Sequence, residues 1–363
     1  MIRVLVLPLL QIPSGHQHVA DSIIAHLEQD PKFTCEKVEL LSYYHVHLEK
    51  LVTGLYIKTI NLMPGFYSYL YKIVSAERIG RKKFYVYEWL FLNKMNQLLR
   101  EKNPDLVICT HSFPSYLINR LKETNRWSGK TINVYTDFFI NNHWGIHRID
   151  YHFVPTPEMK EQLLRLGVDN KRIFVTGIPV HPCLQQSRSK NKTAKPVVLI
   201  SSGSTGCGAL KNLLKRLKPE GQFHYKVLCG KNKSLYQYVR SLNNSLIEPL
   251  PYISSKNILN QLYDEATFIL TKPGGVTLAE CLYKNIPVII YQALPGQEEY
   301  NLQYFLKKDL IYQLSNWERA NNIEKELSDY FRFKNQRFKE RYVHFLNQLE
   351  KTSLPELIEK IIG

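Results

Sequence analysis

The chain has 363 residues, 44% of them hydrophobic, and a formal net charge of +16. That length suggests two domains of ordinary size, each with enough apolar residues for a packed core. No run of about 18 apolar residues occurs, so no membrane-spanning helix is expected; the six cysteines, at 35, 109, 183, 207, 229 and 281, form no CxxC pair, which argues against a zinc site or a disulfide framework and for a reducing cytosol.

The N-terminus, Met-Ile-Arg-Val-Leu-Val-Leu, lacks a small-residue cleavage site and reads as a buried first strand, Val4 to Leu7. Pro13-Ser14-Gly15-His16 follows, then an amphipathic helix from Val19 to Leu27. A neutral imidazole at a helix start can act as a general base near pH 7, because the positive dipole end disfavours its cation. His16 is a candidate on that ground, although most such histidines are structural. His18 lies two residues on and should point elsewhere, so no metal pair is expected.

Residues 48–92 differ in character. Phe66, Tyr67, Tyr69 and Tyr71 precede the basic cluster Arg78, Arg81, Lys82 and Lys83, and Phe84, Tyr85, Tyr87 and Trp89 follow it. Aromatic and apolar side chains beside lysine and arginine suit an anionic bilayer interface, where each cation contributes on the order of 1 kcal/mol. The plainer reading is a helical pair covering the sheet. Strands are then expected at Asp105 to Cys109, Thr131 to Tyr135, Tyr151 to Val154 and Ile173 to Val175. Polar residues come directly after them: Thr110-His111, and Thr136-Asp137 with His143-Trp144 further on. Strands alternating with helices form parallel sheets, and such sheets bind ligands beyond the carboxyl ends of their strands. His111, Asp137, His143 and Trp144 are therefore expected near His16, with Asp137 orienting a base or capping a turn.

The stretch from His181 to Pro196 is polar and basic and reads as a linker. A second set of elements begins at Pro196-Val-Val-Leu-Ile200, with a glycine loop from Ser202 to Gly208, a strand from Phe223 to Leu228 and a loop from Pro249 to Ser255. From His181 to Asn260 there are 13 Lys or Arg against two acids, Glu220 and Glu248. Such charge suits an anionic ligand or surface, and no nucleic-acid motif accompanies it. The apolar run Phe268 to Leu270 then enters Lys272-Pro-Gly-Gly-Val-Thr-Leu-Ala-Glu280. Gly274 and Gly275 let backbone approach a phosphate at a helix start, and Glu280 suits a ribose diol. Thr277 and Glu280 equally fit a capping box, which needs no ligand. A strand from Pro287 leads to Pro295-Gly-Gln297-Glu298-Glu299, with Asn301 beyond. Residues after Trp317 read as charged helices packing outside or crossing back.

Together these motifs resemble the family of processive diacylglycerol glucosyltransferases and plant monogalactosyldiacylglycerol synthases, with the lipid II-forming glycosyltransferase a more distant relative. The resemblance runs over most of residues 1 to 310. Its specific motifs are Thr271 to Glu280 and Pro295 to Glu299, supported by Ser14-Gly15-His16, Thr110 to Pro114, Thr136-Asp137, Val175 to Val180 and Gly203 to Gly208. It departs at Pro13, where the family commonly has glycine, and at Ser201-Ser-Gly203, where it often has three glycines.

The resemblance implies an α/β protein of GT-B type, with two Rossmann-like domains facing across a cleft and C-terminal helices. The expected divisions are 1–182 for the acceptor and membrane side, 183–196 for the linker, 197–330 for the nucleotide sugar and 331–363 for the terminal helices. It implies an inverting transferase that moves a hexose from a UDP-sugar to a lipid, diacylglycerol first among candidates, at an anionic membrane on the cytoplasmic inner face. Neither a metal nor any other cofactor is expected, nor a nucleic-acid partner. His16, with Asp137 as partner or alternative base, would face the acceptor hydroxyl. Gly203, Ser204, Thr205, Gly206, Gly274 and Gly275, with Val276 and Thr277 beside them, would meet the diphosphate, and Glu280 the ribose. Gln297 and Glu298 would reach the sugar, with Tyr252 or Ile253 near the uracil. Gly15, His111, His143, Trp144, Phe66, Tyr69, Arg81, Lys82 and Lys83 would serve acceptor and membrane. Two alternatives stay open: a non-lipid acceptor, and a non-catalytic UDP-sugar sensor.

Overall fold

A computed structural model of the protein describes residues 1–9, 14–40, 43, 84–185, 195–203, 206, 209–333 and 335–363. The chain divides into two compact units, residues 1–181 with 348–363, and residues 182–347. The expected terminal segment 331–363 is thus divided between them.

The first unit runs β1 (Ile2–Leu7), α1 (Gly15–Leu27), β2 (Phe33–Lys37), α2 (Tyr85–Lys102), β3 (Leu106–Cys109), α3 (Ser112–Glu123), β4 (Lys130–Val134), β5 (Tyr151–Val154), α4 (Pro157–Arg165) and β6 (Ile173–Val175). Its six strands lie in the order β2-β1-β3-β4-β5-β6 and every pairing is parallel. All four residues of β3 are buried, as helix-covered parallel strands require. The chain leaves β1 for β2 on one side, then crosses to β3 on the other. That reversal opens a crevice beyond the carboxyl ends of β1 and β3, where His16 and Thr110 to His111 follow.

The second unit contains α5 (Pro182–Gln185), β7 (Val197–Ser201), α6 (Leu210–Arg216), β8 (His224–Leu228), α7 (Lys233–Ser241), β9 (Ile247–Leu250), α8 (Lys256–Glu265), β10 (Ala266–Thr271), α9 (Gly275–Tyr283), β11 (Val288–Ile290), α10 (Gln297–Lys307) and β12 (Tyr312–Gln313), closed by α11 (Glu324–Phe333) and α12 (Asn335–Leu346). Its order, β12-β11-β10-β7-β8-β9, is again wholly parallel. Here the reversal lies between β7 and β10, so both glycine motifs start from the two strands that flank it.

Three strands, β2, β9 and β12, went unread in the sequence. All are edge strands or sit next to one terminus of a sheet, and their patterns are short or weakly apolar. β9 carries Pro249, which an edge tolerates because its missing N–H costs no ladder bond there. The expected loop from Pro249 therefore starts only after Leu250.

The last helix, α13 (Leu354–Ile362), belongs to the first unit. It buries Leu357, Ile358 and Ile361 on one face. Glu350 N–H donates to Val175 O at 2.7 Å, and Lys130 Nζ donates to Ile361 O at 3.0 Å, satisfying a carbonyl at the helix C-terminus.

Candidate active site

In the first unit the crevice centres on His16. It stands in the first turn of α1, whose N-cap Ser14 makes no side-chain cap. His16 Nδ1 lies 3.0 Å from Thr110 O and 2.7 Å from Thr136 Oγ1. A carbonyl can only accept, so Nδ1 carries the proton and the neutral ring presents Nε2 as its basic nitrogen. Thr110 Oγ1 also donates to His16 O at 3.1 Å. Residues from two other stretches thus hold one ring. Burial lowers the His16 pKa; the negative charge of Asp137 and the bond to Thr110 partly restore it.

His111 caps α3: its Nδ1 accepts from Phe113 N–H at 3.0 Å. Its ring meets that of His16 edge-on at 4.5 Å. Burial, with the neighbouring His16 and His143, holds its pKa well below the ordinary value, so it stays neutral. His143 stacks on Phe84 at 5.0 Å. Asp137 is half-buried beside this cluster and acts electrostatically on His16.

Trp144 takes a different place from the one expected. It is 5% exposed and packs against Tyr135, ring centroids 4.5 Å apart, in the hydrophobic core. Its large apolar ring gains more from burial than a polar rim offers. Phe66, Tyr69, Arg81, Lys82 and Lys83 lie outside the described residues, as do Ser204 and Thr205. Gly15 is exposed at the first position of α1.

One surface feature adjoins the cluster. Phe84, stacked on His143, also donates its N–H to Tyr116 Oη at 2.8 Å and precedes α2 directly. The first turns of α2 then expose Tyr85 (71%), Val86 (66%), Trp89 (81%) and Leu90 (43%). The opposite face of that helix buries Phe91, Met95, Leu98 and Leu99.

In the second unit the glycine motifs meet at the reversal. Gly206 has φ +64, and a Cβ there would lie 2.4 Å from Cys229 O, so both conformation and space demand glycine. Asn232 Nδ2 donates to Gly206 O at 3.0 Å. Gly203 follows the buried Ser202. Gly274 is the N-cap of α9, with no side-chain cap and open space where its Cβ would be. The helix N-terminus is therefore bare, with its first N–H groups unmet by any capping side chain. Gly275, Val276 and Thr277 form the first turn. Thr277 sits three residues past the cap, so the expected Thr277–Glu280 capping box does not form; the helix starts earlier because Gly274 needs no side chain to begin it.

Glu280 is buried and accepts from Tyr263 Oη at 2.8 Å, with Lys256 Nζ 3.7 Å from its other oxygen. Burial raises its pKa, opposed by Lys256 and Tyr263. The α10 loop proved largely structural. Asn301 is fully buried and donates to Pro273 O at 3.1 Å. Glu299 Oε2 accepts from Gly296 N–H at 3.4 Å, capping the helix. Glu298 accepts from Leu294 N–H at 2.6 Å and pairs at 3.7 Å with the buried Lys272. Gln297 is half-buried. Tyr252, 37% exposed, carries Lys231 5.2 Å above its ring; Ile253 is half-buried next to it. Thr136, Tyr263 and Lys272 went unassigned in the sequence, since no local spacing reveals such partners. Among the described residues, no helix is long and apolar enough to cross a membrane.

Two parallel α/β units, each with its polar residues at a sheet reversal, define a Rossmann-like protein of GT-B class. The profile for monogalactosyldiacylglycerol (MGDG) synthase matches residues 16–180. An uncharacterized glycosyltransferase of Bacillus subtilis, YkoN, is 41% identical over 100% of this chain and 98% of its own. The processive diacylglycerol beta-glucosyltransferase of Bacillus cereus is 31% identical over 81% of this chain and 78% of its own. Among solved structures, MurG of Acinetobacter baumannii superposes with a TM-score of 0.64 at 13% identity, covering 99% of each chain. The S. aureus MnaA–UDP co-structure gives 0.61 at 12% identity, over 99% of this chain and 96% of that one. The chain belongs to the glycosyltransferase family that includes the processive diacylglycerol beta-glucosyltransferases.

Proposed function

We propose that the protein moves a hexose from a UDP-sugar to the hydroxyl of a membrane lipid, diacylglycerol foremost, with inversion to a β-glycoside. The observation that carries the lipid reading is the grouping of residues in the first unit, where His143 also acts electrostatically on His111. His16 meets His111, His143 stacks on Phe84, and Phe84 opens a helix whose first turns expose Tyr85, Val86, Trp89 and Leu90. A base and an apolar surface so closely connected suit an acceptor whose hydroxyl lies at a bilayer interface. The names of the relatives support the same class of acceptor.

In this reading His16 Nε2 removes the acceptor proton. The freed oxygen attacks the anomeric carbon, the bond from that carbon to the diphosphate oxygen breaks, and UDP leaves with the electron pair. Asp137 stabilises the imidazolium that forms. The bare N-terminus of α9 and the backbone at Gly203, Gly206, Gly274 and Gly275 take up the growing negative charge, so the reading calls for no metal ion or other cofactor. Glu280 accepts from the ribose diol, Tyr252 and Ile253 flank the uracil, and Gln297 and Glu298 contact the sugar. The protein works peripherally, on the anionic inner face of the cell membrane.

The decisive experiment incubates the protein with membrane lipid extract and a panel of radiolabelled UDP-hexoses. Label entering the organic phase as a β-glycolipid, and released into water as a glycosylglycerol by mild alkaline deacylation, is expected with one hexose. Label transferred only to water-soluble products would replace the lipid with another acceptor, and UDP-sugar binding without any transfer would make the protein a sensor.

A further inference from the structure

Among the described residues, the Glu280 carboxylate meets donors from one neighbouring helix, α8, which carries both Tyr263 and Lys256. Tyr263 Oη, on α8, donates to Glu280 Oε2 at 2.8 Å, and both side chains are buried, 4% and 6% exposed. The same two helices are tied separately one turn away: Lys284 Nζ donates to Asn260 Oδ1 at 2.8 Å and pairs with Asp264 at 2.5 Å. The spacing of α8 from α9 therefore does not depend on the Tyr263 hydroxyl alone.

The terminal torsion of a glutamate is broad, so a carboxylate with no donor samples many planes. One hydrogen bond to Oε2 selects a plane and leaves acceptor positions on both oxygens. A neutral donor suits this task. It orients the group without discharging it, whereas a close cation would compete with an incoming hydroxyl; Lys256 stands off at 3.7 Å. We infer that Tyr263 is a positioning residue for donor recognition, fixing the Glu280 carboxylate so that its remaining lone pairs address a vicinal diol. This rests on the reading of Glu280 as the ribose-binding carboxylate.

The test measures Kd by titration calorimetry for UDP and for 2′,3′-dideoxy-UDP, using the full chain, Tyr263→Phe, Glu280→Gln and Lys284→Met. The preference for UDP over the dideoxy compound is the readout, taken within one preparation so that any unfolded fraction cancels. Tyr263→Phe is expected to lower that preference roughly 5- to 20-fold while leaving dideoxy-UDP affinity unchanged. Donor KM should rise and kcat at saturating donor should stay the same. An intact preference in Tyr263→Phe, with its loss in Glu280→Gln, overturns the inference and spares the ribose reading. An equal loss for both nucleotides, or a matching loss in Lys284→Met, makes Tyr263 a tie between helices and overturns it too. A preference that survives Glu280→Gln sinks the ribose reading itself.

Discussion

The two sheet reversals are built in opposite ways. In the first unit the crevice is filled with side chains that fix one another: Thr110 and Thr136 hold His16, and His111 packs edge-on against it. In the second, glycines stand at the crevice: Gly274 begins a helix with open space where its Cβ would be, and Gly206 fits where no Cβ could. A group that moves a proton must be oriented and kept neutral, which takes neighbours. An anion bound by backbone N–H groups needs space and an uncapped dipole, which takes their absence. The same topology serves both because a reversal in strand order opens a crevice whatever residues follow it.

That contrast can be broken at its strongest point first. His16→Ala should lower kcat by about 10²–10⁴-fold and leave UDP binding by calorimetry intact; an unchanged turnover would remove the first unit from the proton transfer. On the other side, Glu280→Gln should weaken UDP about 10- to 100-fold, the loss of charge-assisted bonds worth roughly 1.5–3 kcal/mol. Gly274→Ser separates stability from function. A serine there caps α9, so Tm should hold or rise slightly, while donor KM rises roughly 3- to 10-fold because the hydroxyl competes for the same N–H groups. A fall in Tm with unchanged KM would mean the open space has no ligand in it. Replacing Tyr85 and Trp89 by serine should lower partitioning onto anionic vesicles by about tenfold in flotation, since each removes an exposed aromatic surface.

The smallest effect is one of pH. The Asp137 carboxylate raises the His16 pKa against burial. Asp137→Asn removes that charge and lowers the pKa further. A general base works unprotonated, so the acid limb of the kcat/KM profile should shift to lower pH. A shift to higher pH would mean that Asp137 does not act through His16.

Much of the fold was legible because its signals are local. Val4 to Leu7, Tyr151 to Val154 and Val197 to Ile200 are apolar runs that parallel strands bury on both faces, and each was found within a residue or two. Asp137 and His111 could be placed beside His16 because parallel strands send all their carboxyl ends to one edge. Of the four edge strands only β6 was read; β2, β9 and β12 escaped notice, as β9 shows with its proline, because half their pairing demand is missing and their patterns are short or weakly apolar. Trp144 was expected near His16 because it follows Thr136-Asp137 beyond a strand end, yet its ring packs against Tyr135 in the core.

The sequence by itself determined the two α/β units, the glycine positions and where the polar motifs fall along the chain, since each follows from backbone sterics or from local periodicity. Only the tertiary structure decided which of them act together. His16 meets Thr110 across 94 positions and Thr136 across 120. Tyr263 finds Glu280 from a different helix, while Asn301 and Glu299 are claimed by backbone groups rather than left for a ligand. Hydrogen bonds reach only about 3 Å, so partners distant in the chain are chosen by how helices and strands pack, and no local spacing carries that choice.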